Sequence, residues 1–115
     1  MSERRPLRTS AELARLRAEI DELDRRIVRL LNERAERTVD VGHEKSALGR
    51  RAIRDRERER EVLLRVTMAN AGPLPQADLL AIYRRLIASS RALEAAERER
   101  LHRGEDDGPS EPPGA

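Results

Sequence analysis

Residues 13–45 read LARLRAEIDELDRRIVRLLNERAERTVDVGHEK, and the spacing of apolar side chains in this stretch decides the fold. Leu13, Leu16, Ile20, Leu23, Ile27 and Leu30 alternate steps of three and four, which sets them on one side of an α-helix. The same side then carries Arg34 and, beyond Thr38 and Val41, Lys45. These two cations lie about 20° apart in azimuth and roughly 16 Å apart in rise, so they point the same way. A cation on an apolar seam is costly unless something anionic meets it. In a chain without cysteine and without a metal-ligand cluster, a small multi-anionic ligand fits that requirement.

Working outward, Thr9-Ser10-Ala11-Glu12 has the form of a capping box, so the first helix is expected over about 10–48, after a flexible arm of residues 1–9. Gly49 follows as its C′ residue. Gly42 sits inside the helix, where glycine costs roughly 1 kcal/mol relative to alanine. It is either simply tolerated or marks a close approach of another helix or a ligand. Residues 49–54 form a connecting loop, and Asp55 is placed to cap a second helix over 55–71, with Val62, Leu63 and Val66 on one face. Asn70-Ala71-Gly72-Pro73-Leu74-Pro75 is a stop and turn. A third helix is expected over 76–102, with Leu79, Ile82, Tyr83, Leu86 and Ile87 on a stripe that Ser90, Leu93, Glu94 and Leu101 continue. The 10–103 domain is followed by an acidic, Pro- and Gly-rich tail, 104–115, whose composition buries too little apolar surface to order itself.

Length and composition agree with an all-α reading. A chain of 115 residues makes one domain at most, and 40% charged residues suit helices with wide solvated faces. A first helix from residue 10 to 48 would be about 58 Å long, against a radius of gyration near 13 Å for a compact chain of this size. Two shorter helices cannot cover such a rod. Its seam calls for a second copy, and an intertwined homodimer of six helices is the economical arrangement. The 24 basic residues, all arginine except Lys45, are interleaved with 22 acidic ones, which argues against a nucleic-acid surface. No long apolar run predicts a membrane span, and no apolar leader stands in the first residues, so a cytoplasmic protein is expected.

Several further polar residues fall on inward stripes. Asp55 and Glu59 share a helix face with Val62 and Val66, while Ser90 and Glu94 extend the third-helix stripe. Arg17 lies about 25 Å along the axis from Arg34 and roughly 100° away in azimuth, so it can reach the same ligand only from a second copy. Each residue also has a structural reading. Arg34 can be a register-setting cation paired with a carboxylate, Lys45 can snorkel outward, Ser90 can be a small filler, and Glu94 can be solvated. The run Arg54-Asp55-Arg56-Glu57-Arg58-Glu59-Arg60-Glu61 places like charges at every i, i+4 pair, a pattern poorly suited to helix stability alone. Some of its members are therefore expected to answer to partners elsewhere. His43 and His102 have no ligand-spaced companions, so no metal site is expected.

Together these positions resemble the all-helical, AroQ-class (type II) chorismate mutases. The resemblance rests on Leu16-Arg17-Ala18-Glu19-Ile20-Asp21, on Glu33-Arg34, on Val41-Gly42-His43-Glu44-Lys45, on Asp55-Arg56-Glu57-Arg58-Glu59, and on Ser90 of the third helix. It implies a three-helix protomer in an intertwined dimer with two active sites, each built from both chains. It implies the Claisen rearrangement of chorismate to prephenate, on the route to phenylalanine and tyrosine, with no cofactor. By this resemblance Arg17 of a second copy and Arg34 bind the substrate carboxylates, and Lys45 contacts a carboxylate and the ether oxygen. Asp55 and Glu59 would hold the ring hydroxyl, Ser90 would seat the ring carboxylate, Glu94 would face the ether oxygen, and Arg58 would support them.

The chemistry fits that inventory. A pericyclic step needs no nucleophile or redox group; it needs a flexible dianion held in its reactive conformer, which forked arginines do well. Negative charge grows on the ether oxygen as the C–O bond breaks, and a prepositioned donor such as Lys45 stabilises that transition state. If Glu94 donates to the same oxygen it must carry a proton, so activity is expected to decline as pH rises through its titration. The same scaffold serves aminodeoxychorismate mutase and isochorismate-pyruvate lyase, and Asp55 and Glu59 could receive an amine as well as a hydroxyl. A non-catalytic helical dimer, acting as an interaction module, would instead turn its cations outward.

Overall fold

Nothing between Arg4 and Ala47 interrupts the first helix, α1 (Arg4–Ala47), in the computed structural model, which describes residues 4–50 and 55–104, with side chains from residue 10. Two helices follow, α2 (Arg56–Ala69) and α3 (Gln76–His102), and no strand occurs among the described residues. The expected all-α, three-helix protomer is what the chain forms. It divides into two units, residues 1–34 and 35–115, each with its own character.

The first unit corrects the expected start of α1. The helix begins at Arg4, upstream of the capping box, so residues 4–9 belong to it rather than to an arm. Pro6 is no obstacle, because it falls in the first turn, where the backbone N–H groups have no partner within the helix. Local ion pairs line the solvated side: Arg15 reaches Glu19 at 2.6 Å and Glu12 at 3.1 Å, and Arg25 reaches Glu22 at 2.6 Å. On the seam, Leu13, Leu16, Ile20, Leu23, Ile27 and Leu30 are each 42–59% exposed.

The second unit contains the end of α1, then α2 and α3. Helix α1 closes with Gly49 in the left-handed region (φ 72°), with Gly49 N–H donating to Ser46 O at 3.0 Å and Arg50 N–H to Lys45 O at 2.9 Å. This is the Schellman arrangement, and it requires a residue without a Cβ at Gly49. The rest of the expected loop, residues 51–54, lies outside the described residues, as does the tail beyond Gly104. Asp55 caps α2 as expected, its Oδ1 accepting from Arg58 N–H at 2.9 Å.

Helix α2 stops at Ala69, two residues short of the expected end, because Asn70 has other work. Its side-chain amide donates to Leu74 O at 3.1 Å and Gln76 Oε1 at 2.9 Å, while its Oδ1 accepts from Gly72 N–H at 3.0 Å. An Asx turn of this kind competes with helix continuation, and Gly72 supplies the positive φ (78°) that follows. Along α3, Leu79, Tyr83, Leu86 and Leu93 are half-buried, and Ile87 is buried at the centre; Ile82, expected on the same stripe, is 49% exposed.

Candidate active site

Lys45 stands in the last turn of α1, where a cation also meets the negative end of the helix dipole. Its Nζ donates to Glu94 Oε1 of α3 at 2.8 Å, with the two side chains only 20% and 28% exposed. The two residues expected to flank the ether oxygen are thus brought together across 49 positions of sequence. Neither snorkelling of Lys45 nor solvation of Glu94 describes what is seen.

Gly42 explains how α1 comes so near α3. A Cβ built there would lie 3.1 Å from Glu94 Cα, 3.3 Å from Glu94 O and 3.4 Å from Glu97 Cβ. Of the two readings open for Gly42, close helix approach is the one realised. Beside it Glu97, only 6% exposed, receives Arg100 through both oxygens, Nε to Oε1 at 2.9 Å and Nη2 to Oε2 at 2.7 Å. His43 Nδ1 approaches the same Oε2 at 3.3 Å. The Arg100 hydrogen bonds hold the Glu97 carboxyl below the usual glutamate range against the upward push of burial, and His43 acts in the same direction as Arg100.

Glu97 was not among the expected site residues. Its signal lay in the stripe itself: Leu101 lies seven positions beyond Glu94, and position 97 is the helical step between them. Arg91, too, was not among the expected site residues. It follows half-buried Ser90 on α3, and its Nη1 donates to Glu59 Oε2 of α2 at 2.8 Å. Glu59 is 14% exposed and Arg91 39%. The alternating charge run therefore does have a member whose partner is distant, Glu59, whereas Arg58 pairs locally with Glu61 at 3.0 Å. Asp55 and Arg58 are exposed at the start of α2.

Arg17, exposed, and Arg34, half-buried, belong to the first unit; Lys45, Asp55, Arg58, Glu59, Ser90 and Glu94 belong to the second. A hollow of about 240 Å³ lined by Val66, Ala69, Asn70, Leu74, Leu79 and Tyr83 includes none of these residues. Among the described residues no group of three or more His, Asp or Glu could hold a metal ion, and no helix is long and apolar enough to cross a membrane.

The arrangement can grip an anion, with a half-buried ammonium on one helix and acceptor groups on the facing ones. Comparison with known proteins points the same way. The chain is 41% identical over 87 residues to the bifunctional chorismate mutase/prephenate dehydratase of Aquifex aeolicus, a match covering 72% of this chain and 24% of that protein. The corresponding protein of Neisseria gonorrhoeae is 39% identical over 75 residues, covering 65% and 20%. That of Stutzerimonas stutzeri is 36% identical over 87 residues, again covering 72% and 24%. The chain thus spans about a quarter of the length of these curated relatives, or less. The family model described as chorismate mutase type II matches residues 16–95, from the exposed seam of α1 to the turn of α3 just beyond Glu94. By that match the chain belongs to the chorismate mutase type II family.

Proposed function

We propose that this chain is a chorismate mutase, converting chorismate to prephenate for phenylalanine and tyrosine biosynthesis, as a cytoplasmic homodimer whose two sites each draw on both copies. The observation that carries the reading is the half-buried Lys45–Glu94 pair on helices held together at Gly42. An ammonium has three donors, and Glu94 uses one, so two remain to meet a substrate carboxylate and the ether oxygen. Such a donor acts most strongly on the transition state, where charge has moved onto that oxygen. Arg34 and a second copy's Arg17 supply the carboxylate grips; Glu59 and Asp55 receive the ring hydroxyl, beside Ser90.

The dimer is supported by the seam. Six apolar side chains of α1 remain about half exposed in one copy, and burying the remainder offers roughly 1 kcal/mol each. Two such seams packed together satisfy the pattern that one chain leaves open.

The decisive experiment is loss of chorismate absorbance, with the product identified as prephenate. Accelerated conversion by the purified chain is expected, and conversion no faster than the uncatalysed rate would refute the reading. Shared sites are tested by mixing Arg17→Ala and Lys45→Ala chains. Random exchange should restore about a quarter of wild-type activity, since half the dimers are mixed and each mixed dimer has one intact site. A mixture that exchanges subunits yet stays inactive would rule out sites built from two copies.

A further inference from the structure

Helix α3 crosses the end of α1 at Gly42, where a Cβ would meet Glu94 Cα at 3.1 Å and Glu97 Cβ at 3.4 Å. Contact at one glycine sets the distance between two helices but leaves either free to roll about its own axis. Polar contacts on the two flanks of Gly42 remove that freedom. At 100° per residue, Lys45 lies about 60° to one side of Gly42 around α1 and His43 about 100° to the other. On α3 their partners are offset too, Glu97 standing about 60° around the axis from Glu94. Lys45 meets Glu94 at 2.8 Å on one flank, and His43 Nδ1 meets Glu97 Oε2 at 3.3 Å on the other. Glu97 is the less exposed of the two carboxylates, and Arg100 holds both its oxygens, at 2.9 and 2.7 Å. Arg100 stands one turn away on α3 itself, so it fixes the Glu97 side chain from within the helix.

We infer that Glu97 is a positioning residue for Lys45: locked by Arg100 and set against His43, it fixes the roll of α3 over Gly42 and so holds Glu94 where it aims the Lys45 ammonium. This rests on the proposed function, in which Lys45 is the donor to the ether oxygen. A lysine ammonium rides on a flexible four-carbon stem, so its place is set by the acceptor that holds it. Without Glu97 the Lys45–Glu94 pair is left alone on one flank, and α3 can turn about it. A donor displaced by an ångström loses much of its effect on a transition state, while arginine grips on the substrate carboxylates still bind the ground state.

The test is a double-mutant cycle on kcat for chorismate, with Glu97→Leu placed in wild type and in Lys45→Ala, each variant being assayed well below its own unfolding midpoint. In wild type the substitution should lower kcat about tenfold and change KM by less than about threefold. In Lys45→Ala it should change kcat by less than about twofold, because the group being positioned is gone. Glu97→Gln keeps the shape but weakens the hold of Arg100, and should lower kcat about threefold; it carries the cycle if the leucine variant does not fold. As a control for lost stability, Ile87→Val thins the buried centre of α3 and should leave kcat within about twofold of wild type. Equal losses in the two backgrounds overturn the inference, since Glu97 would then act on the fold and not through Lys45. It is overturned as well by an unchanged kcat in Glu97→Leu, or by a matching fall in Ile87→Val. Wild type that leaves chorismate unchanged removes the proposed function, and this inference with it, whereas additive losses on an active wild type remove the inference alone.

Discussion

The two units of this chain use the same vocabulary of arginine and glutamate to opposite ends. Along residues 10–34 the ion pairs of Arg15 and Arg25 are local, i to i+3 or i+4, between side chains more than half exposed. Pairs of that kind contribute little, since water and salt screen them and ordering two long side chains offsets the gain. What matters in that segment is the apolar seam. Residues 35–104 have local pairs too, such as Arg58 with Glu61, but here polar contacts also run from helix to helix, Lys45 to Glu94, Arg91 to Glu59 and His43 to Glu97, and the carboxylates in these are largely withdrawn from water. There the apolar core is slight, with Ile87 its one buried hydrophobic side chain among the described residues. Composition alone does not separate these cases; whether an acidic residue's partner is one turn away or on another helix does.

Substitutions can break this contrast at its strongest point first. Lys45→Ala removes the donor proposed to face the developing oxyanion, and kcat should fall by a hundredfold or more with a smaller change in KM, as read in steady-state assays. Near-normal turnover would show that the inward cation of the second unit is ornamental. In the first unit the corresponding blow falls on an apolar residue. Ile20→Glu should convert the proposed dimer to monomer in sedimentation velocity and lower activity about tenfold, because a charge would have to be buried in the seam. Persistence of the dimer would sever the link between seam and assembly.

Gly42→Ala tests the contact that brings Lys45 to Glu94. In an isolated helix alanine is favoured over glycine by about 1 kcal/mol. Here the added carbon would press on backbone atoms of Glu94 at 3.1 and 3.3 Å, so the sign reverses. A loss of about 1–3 kcal/mol in urea unfolding is expected, together with lowered kcat. A stabilised variant would show that the helices have room to part.

Glu97→Gln sharpens the contrast with pH. Glu97 ionises more readily in the folded chain than in the unfolded one. Its stabilisation is therefore complete above the unfolded glutamate range, near pH 4.3, and is lost as pH falls through the lower folded value. The variant should lose about 1–3 kcal/mol near neutrality and show a shallower decline of stability below about pH 5 than wild type. Parallel acid profiles would contradict this. Last, Arg25→Ala deletes an exposed pair of the first unit and should leave the unfolding midpoint and kcat unchanged within error.

Much of the fold was legible because helical periodicity is a property of one element. The seam of α1, the cap at Asp55, the glycine stop at Gly49 and the stripe of α3 can each be read without knowing what lies opposite. The start of α1 lies upstream of the expected one because a capping box fits a helix interior as well as a helix end when nothing upstream breaks the chain. The end of α2 falls short of the expected residue 71 because Asn70 organises the turn and is not merely a point in it. At the candidate site, Lys45 and Glu94 stood out as polar residues on apolar stripes. Gly42 could not be decided, since its meaning depends on the distance to another helix. Arg91 escaped for a related reason: its partner Glu59 lies on another helix and is set by packing register, which no single stripe encodes, whereas Glu97 stood on the α3 stripe and was passed over.

Lys45 is the sole lysine among 24 basic residues, and its ammonium is held by Glu94. Protein grown on 15N-labelled lysine therefore carries one labelled side-chain nitrogen, positioned where the chemistry is proposed to occur. Its resonance offers a direct view of that group as substrate analogues, subunit exchange or acid are introduced, with no other signal of its kind to obscure it.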